Sequence, residues 1–367
     1  MPPGVRRGTL GGMVAPERGH LADASEQAGS HERLEGVDVA RAVAFGGMLL
    51  AHFAISSDAD PHWLRAVDDV ADGRAAPLFC VLLGLGSGLL LARGRTGATM
   101  VRRGAALLVL GLVLWPLVPE VFVILPHYGV LLALVALLAR LPDRALLPAA
   151  GVAFLLPSLI VGTLGSGGLR GGGQPGSHAE LLDVPEVVAG LAWTGGYPLL
   201  GWVGFVLVGL WLARQALVSR RVQARLLLVG AAVAAVQPLI AVVRDRSSDP
   251  LATALLDSGA HSNQLAWYVL AAAAAVAVIG ACLLLAGRHA APLRPVARLG
   301  QVMLSAYLLH LGIGAWLVWD WQDEGPSLAA QVLVVLAVLT VFALVADRWV
   351  RGRRRGPVEA LLRAVAP

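Results

Sequence analysis

Residues 33–88 read RLEGVDVARAVAFGGMLLAHFAISSDADPHWLRAVDDVADGRAAPLFCVLLGLGSG, two apolar runs flanking a polar loop. The first run carries Asp38, Arg41 and His52 inside a segment long enough to cross a bilayer. Ionisable side chains are costly there and usually face a pathway or a site. At about 100° per residue, Arg41 and His52 fall within roughly 20° of each other and about 16 Å apart along the axis, with Asp38 about 60° from Arg41. One stripe, polar at both ends, therefore runs along the helix. Between its ends lie Gly46, Gly47 and Met48, and small residues admit a neighbouring helix or a slender ligand. A plainer account uses the same residues: Asp38 and Arg41 form an interfacial ion pair, and His52 bonds a neighbouring helix.

Composition sets the class. Of 367 residues, 57% are apolar and 14% charged, with a mean hydropathy of +0.71. Repeated apolar runs of about 20 residues predict an all-α, multi-pass membrane bundle. Ten spans are expected, near 36–56, 76–92, 102–118, 120–139, 145–162, 197–213, 224–243, 265–286, 298–318 and 328–347. All 29 basic residues are arginine, which with the Ala, Gly, Val and Leu richness suggests a GC-rich bacterial gene. With this span order, 23 arginines fall in the tails and in alternate connections and five in the others, with Arg41 inside a helix. Positive-inside asymmetry then predicts a bacterial plasma-membrane protein with both termini in the cytoplasm. Trp63, Trp115, Trp319 and Trp321 at outer ends and Trp349 at an inner one fit this frame. The basic balance follows helix ends and is no nucleic-acid signal.

Outward from the core, residues 1–32 hold no apolar run and read as a disordered cytoplasmic tail. Residues 33–350 form the bundle and 351–367 a basic amphipathic tail. In that tail Pro357 opens a helix with Val358, Leu361, Leu362 and Val365 on one face, expected to lie on the anionic inner leaflet beside its arginines. Residues 184–193 predict a short half-helix or surface helix ahead of the Gly195-Gly196-Tyr197-Pro198 turn. The glycines of GLGSG at 84–88 sit within a span and predict helix packing rather than a phosphate loop. Cys80 and Cys282 lie in apolar runs and read as small hydrophobes.

Histidines segregate: His52, His62, His127, His178 and His261 fall at outer ends or loops, and His310 falls mid-span. Imidazole suits proton transfer and acyl acceptance. No pair on one helix has metal-ligand spacing, so no metal is expected, and no nucleophile-elbow sequence suggests a serine hydrolase.

Arg33-x4-Asp38-x2-Arg41, Gly47-Met48, the polar end of span one and Pro77-x-Phe79-x4-Gly84 form an ordered series. It continues in Pro126-His127-Tyr128-Gly129, Tyr197-Pro198-x3-Trp202, Ser305-Ala306-Tyr307-x2-His310 and the closing Arg-Arg-Gly-Pro-x-Glu. This series resembles the heparan-alpha-glucosaminide N-acetyltransferase catalytic family and the related YeiB-like bacterial membrane proteins, over most of residues 33–363. The resemblance implies acyl transfer from acetyl-CoA or another acyl-CoA in the cytoplasm to a sugar or envelope glycan outside. It places the catalytic histidine at His62, followed by Trp63, and an Asn of the family at His52. Ala42 replaces a usual Gly, and His62 and Trp63 stand closer together than in the acetyltransferase, which moves the chain toward the bacterial branch.

The roles implied are His62 as general base or acyl carrier and His52 as its partner. Asp38, Arg41, Arg102 and Arg103 would hold the coenzyme, and His127, Tyr128, His261 and Trp63 would contact the acceptor. Lipids surround such a bundle, and a homodimer is compatible with it. A transporter or flippase of a small or lipid-linked substrate is the rival reading, and a non-catalytic envelope partner a third.

Overall fold

The computed structural model of the chain describes residues 34–54, 60–61, 73–118, 121–164, 177, 180–321, 326–353 and 355–366, with backbone alone at 161–164, 194 and 315–321. The expected amino-terminal tail lies outside these residues. Every regular element among the described residues is helical.

The bundle is arranged around α1 (Glu35–Phe53), whose neighbours are α2 (Ala75–Ala92), α11 (Leu265–Arg288), α12 (Ala290–Gln301), α13 (Met303–Trp321) and α14 (Leu328–Arg353). The remaining elements are α3 (Gly97–Leu114), α4 (Leu125–Leu138), α5 (Asp143–Leu164), α6 (Val184–Ala189), α7 (Leu199–Ala213), α8 (Arg220–Ala234), α9 (Gln237–Arg246), α10 (Pro250–Leu255) and α15 (Pro357–Val365). Within its membrane-crossing window α1 is 67% buried, whereas α8 with α9 is only 11% buried. That contrast separates a central helix from a peripheral one whose apolar surface faces lipid. The chain is a multi-pass membrane protein.

Seven helical segments are long and apolar enough to cross a bilayer unaided, and α12 with α13 forms an eighth, bent by 75°. The expected spans four and six are present as the 14-residue α4 and the 15-residue α7. Proline explains both starts: Pro126 lies in the first turn of α4 and Pro198 is the residue before α7, so each helix begins where a missing N–H costs nothing. The expected short helix at 184–193 is α6, continued by a wider turn at Gly190–Thr194.

Glycine lets the inner helices touch backbone to backbone. A Cβ on Gly209 of α7 would stand 2.1 Å from the Val81 carbonyl oxygen of α2, and one on Gly84 would stand 2.1 Å from that of Val206. The GLGSG glycines are thus packing residues, as their place in the sequence implied. Replacing Gly209 by Leu is expected to destabilise the protein by about 1–3 kcal/mol or more, lowering the midpoint of thermal unfolding in detergent. Gly151→Ala, whose new methyl meets nothing within 4 Å, leaves that midpoint in place.

At the arginine-rich end, Asp347 of α14 takes ion pairs from Arg298 of α12 and from Arg351. Helix α15 forms where Pro357 predicted it, and it packs on α13 and α3. Ser305 and Glu359 exchange caps there: the Glu359 carboxylate accepts from the Ser305 N–H at 3.0 Å and from its hydroxyl at 2.5 Å, while Ser305 Oγ accepts from the Val358 N–H at 3.1 Å. Each side chain satisfies an orphan donor at the start of the other helix, and the carboxylate sits at the positive end of α13.

Candidate active site

The stripe on α1 is an ordered arrangement. Asp38 has 1% of its side chain exposed and accepts from Arg41 at 2.5 Å, while Arg41 keeps 26% exposed. The carboxylate is buried behind the guanidinium and holds it. Arg41 faces a cavity of about 220 Å³ lined also by Phe79, Ile124, Tyr128, Tyr307 and Leu362. Leu362 belongs to α15, so the carboxyl-terminal helix forms part of the wall at the arginine-rich end. Arg103 donates to the Ala366 carbonyl at 3.2 Å, with Arg95 and Arg363 close enough to repel its charge. Arg102 is exposed. Three of the four residues expected to hold the coenzyme, Asp38, Arg41 and Arg103, thus gather around this cavity or the helix that walls it.

The Tyr307 side chain also lines this cavity, and its buried hydroxyl has the Ile124 backbone beside it and no side-chain partner among the described residues. One turn further along α13 the His310 ring is 1% exposed. Its Nδ1 meets the Tyr307 carbonyl oxygen, and its Nε2 lies 3.3 Å from His52 Nδ1. The two imidazoles lie nearly parallel, with centroids 5.4 Å apart and planes 13° apart, their facing edges bringing the two nitrogens together. Phe45 and Phe53 stand edge-on to the His310 ring at 5.6 and 6.3 Å. His52 is half-buried.

The opposite end of the bundle holds a larger cavity, about 700 Å³, lined by Trp193, Gly196, Asp257, His261, Asn263 and Gln264 among others. His261 and Asn263 both have left-handed backbone, with φ of 53° and 54°, a strained choice for a non-glycine residue outside Asn, Asp and His. Asn263 secures it. Its Oδ1 accepts from Trp202 Nε1 at 2.9 Å and from the Tyr268 hydroxyl at 3.4 Å, and its Nδ2 donates to the His261 carbonyl at 3.1 Å. Gln264 Oε1 is buried without a hydrogen bond among the described residues.

Tyr197 stands between the regions. Its ring lies 5.4 Å from His127 and 6.2 Å from His261, within electrostatic range of the Tyr307 phenol. His127 is itself packed against Trp115 at 5.7 Å; its ring nitrogens have no side-chain partner among the described residues, and the Gly190 backbone stands beside the ring.

The model for heparan-alpha-glucosaminide N-acetyltransferase, catalytic, matches residues 33–246, more than half of the 367 residues. The chain belongs to the heparan-alpha-glucosaminide N-acetyltransferase catalytic family. A second family, described as protein of unknown function (DUF418), matches residues 209–366. No curated protein sequence matches the chain at a significant level. The acetyltransferase match contains His52, and the second match contains His310, so the imidazole pair joins the two matched regions.

Within this acetyltransferase family frame the expected site residues divide. His62 and Trp63 lie outside the described residues. Tyr128 lines the smaller cavity, donating to the Phe79 carbonyl at 3.3 Å, whereas His261 lines the larger one. The acceptor group expected from the sequence is therefore spread over two cavities, with His127 between them. Sequence reasoning did not select His310 and Tyr307 as site residues, although the Ser305-Ala306-Tyr307-x2-His310 motif was their signal. Asp257, Asn263 and Gln264 had no signal beyond their neighbour His261.

Proposed function

We propose that the chain is a membrane acyltransferase that moves an acyl group, acetyl in the first instance, from coenzyme A in the cytoplasm to a sugar or other envelope acceptor outside. The reading takes the seven long apolar segments, the bent α12 and α13 pair, and the short α4 and α7 as ten crossings, with both ends of the chain in the cytoplasm. The observation that carries it is the cavity lined by Arg41, Leu362 and Tyr307, with His310 one turn from Tyr307 on α13 and paired with His52 of α1.

The donor is a substrate, and the lining suits it. A cavity of about 220 Å³ is smaller than sites for drug-sized molecules. It fits the slender pantetheine arm and leaves the nucleotide outside, near Arg103 and Arg363. Arg41 supplies a charge-assisted hydrogen bond near the mouth. The Tyr307 hydroxyl, beside the Ile124 backbone, would donate to the thioester carbonyl, where negative charge develops as the acceptor attacks. His62 and His52 divide the roles of acyl carrier and base, and the cavity around His261, Asp257 and Gln264 receives the acceptor.

The test is binding followed by transfer. Detergent-purified protein is expected to bind acetyl-CoA at micromolar concentration and to release free coenzyme A when hexosamines or envelope glycans are added. Absence of binding to acetyl-CoA, and to longer acyl-CoAs, overturns the reading.

A further inference from the structure

We infer that His310 is a positioning residue that fixes His52 in the tautomer whose Nε2 lone pair acts as the base for acyl transfer. This rests on the acyltransferase reading and assigns, within it, which imidazole moves the proton.

The argument follows from hydrogen-bond valence. A neutral imidazole carries one N–H and one lone pair, and the group facing each nitrogen decides which is which. His310 Nδ1 faces the Tyr307 backbone oxygen, which can only accept. That nitrogen must carry the proton. His310 Nε2 is then the acceptor, and the atom it faces is His52 Nδ1 at 3.3 Å. His52 must donate from Nδ1, and its lone pair resides on Nε2. Each ring thereby dictates the protonation of the next, starting from a carbonyl whose position on α13 is fixed.

Burial separates the roles. His310 is 1% exposed and enclosed by Phe45, Phe53 and Tyr307, so no substrate atom reaches it. His52, half-buried at the end of α1, is the member of the pair that can meet a substrate. When the acceptor attacks the thioester carbonyl, its N–H or O–H proton passes to His52 Nε2. The new acyl bond forms as the C–S bond breaks, and the coenzyme thiolate takes the proton back from the imidazolium. During the step the positive charge on His52 is shared with His310 through the Nδ1–H···Nε2 bond, as the third member of a nucleophile-base-orienter set does.

The experiment has a spectroscopic arm independent of turnover. In protein labelled with ¹⁵N-histidine and held at mildly alkaline pH, the His52 resonances, assigned by their loss in His52→Asn, are expected to show a protonated Nδ1 and a bare Nε2. In His310→Phe, which keeps an aromatic ring in the Phe45 and Phe53 enclosure, His52 is expected to lose that preference. Its kcat is expected to fall by about ten- to a hundredfold with the KM for acyl-CoA unchanged. In His310→Gln, whose amide can donate to Tyr307 and accept from His52, both tautomer and kcat return toward wild type. A protonated Nε2 on His52 in the wild-type protein overturns the inference whatever the activity. So does an unchanged kcat in a folded His310→Phe. A protein with the expected tautomer and no acyl transfer instead removes the function and leaves the His310 to His52 geometry standing.

Discussion

His52→Ala is expected to reduce acyl transfer by about two to four orders of magnitude, the usual contribution of a positioned acid-base group, while acyl-CoA binding stays intact. The separation arises because His52 lies beyond Tyr307 and outside the lining of the cavity that holds Arg41. Side-chain truncation at the end of α1 removes the proton acceptor and spares the wall. Single-turnover release of coenzyme A, measured beside equilibrium binding, checks both halves. A variant that transfers at the wild-type rate removes His52 from the chemistry, and one that fails to bind shows that the imidazole shapes the donor cavity instead.

The second large effect is at Arg41. Arg41→Gln is expected to weaken acyl-CoA binding by about 1.5–3 kcal/mol, roughly ten- to a hundredfold in Kd, the worth of one charge-assisted hydrogen bond. It also strips the buried Asp38 carboxylate of its guanidinium, which should lower stability by about 1–3 kcal/mol. The pair Asp38→Asn with Arg41→Gln separates these effects, since a neutral side chain at 38 no longer needs a cation. Thermal unfolding recovers in the double variant and binding does not. Recovery of both would leave Arg41 a structural partner of Asp38 and nothing more.

The polar stripe on α1 was legible because helical periodicity alone places Asp38, Arg41 and His52, and the packing of five other helices on α1 follows from what those residues cost in lipid. The partner of His52 was not legible. His310 is 258 residues away, and nothing in one sequence says that α13 presents that face to α1. The same limit applies to Tyr128 and His261, grouped by their common place near outer ends yet set in different cavities toward opposite ends of the bundle. Hydropathy found α4 and α7 but overstated the reach of α4, because Val121, Phe122, Val123 and Ile124 are all apolar and still remain outside the helix that Pro126 opens. The carboxyl-terminal helix was read from Pro357 and its apolar face. Its mooring to α13 depends on the Ser305 and Glu359 exchange, 54 residues apart, which no local pattern announces.

The 14-residue α4 has a wider consequence. At 1.5 Å per residue it is about 21 Å long, well short of a hydrocarbon core of about 30 Å. A segment with that mismatch either thins the surrounding lipid or leaves irregular backbone at depth beneath a covering of protein and water. Ile124 and the Gly195 to Pro198 turn stand at the starts of α4 and α7, and they meet where Gly196 and Tyr197 pack against the Phe122 ring, so this irregular backbone has a covering of protein. Under the proposed acyl transfer, two such short crossings side by side would shorten the path between the aqueous phases, because part of the bilayer depth would be spanned by covered loop rather than by helix.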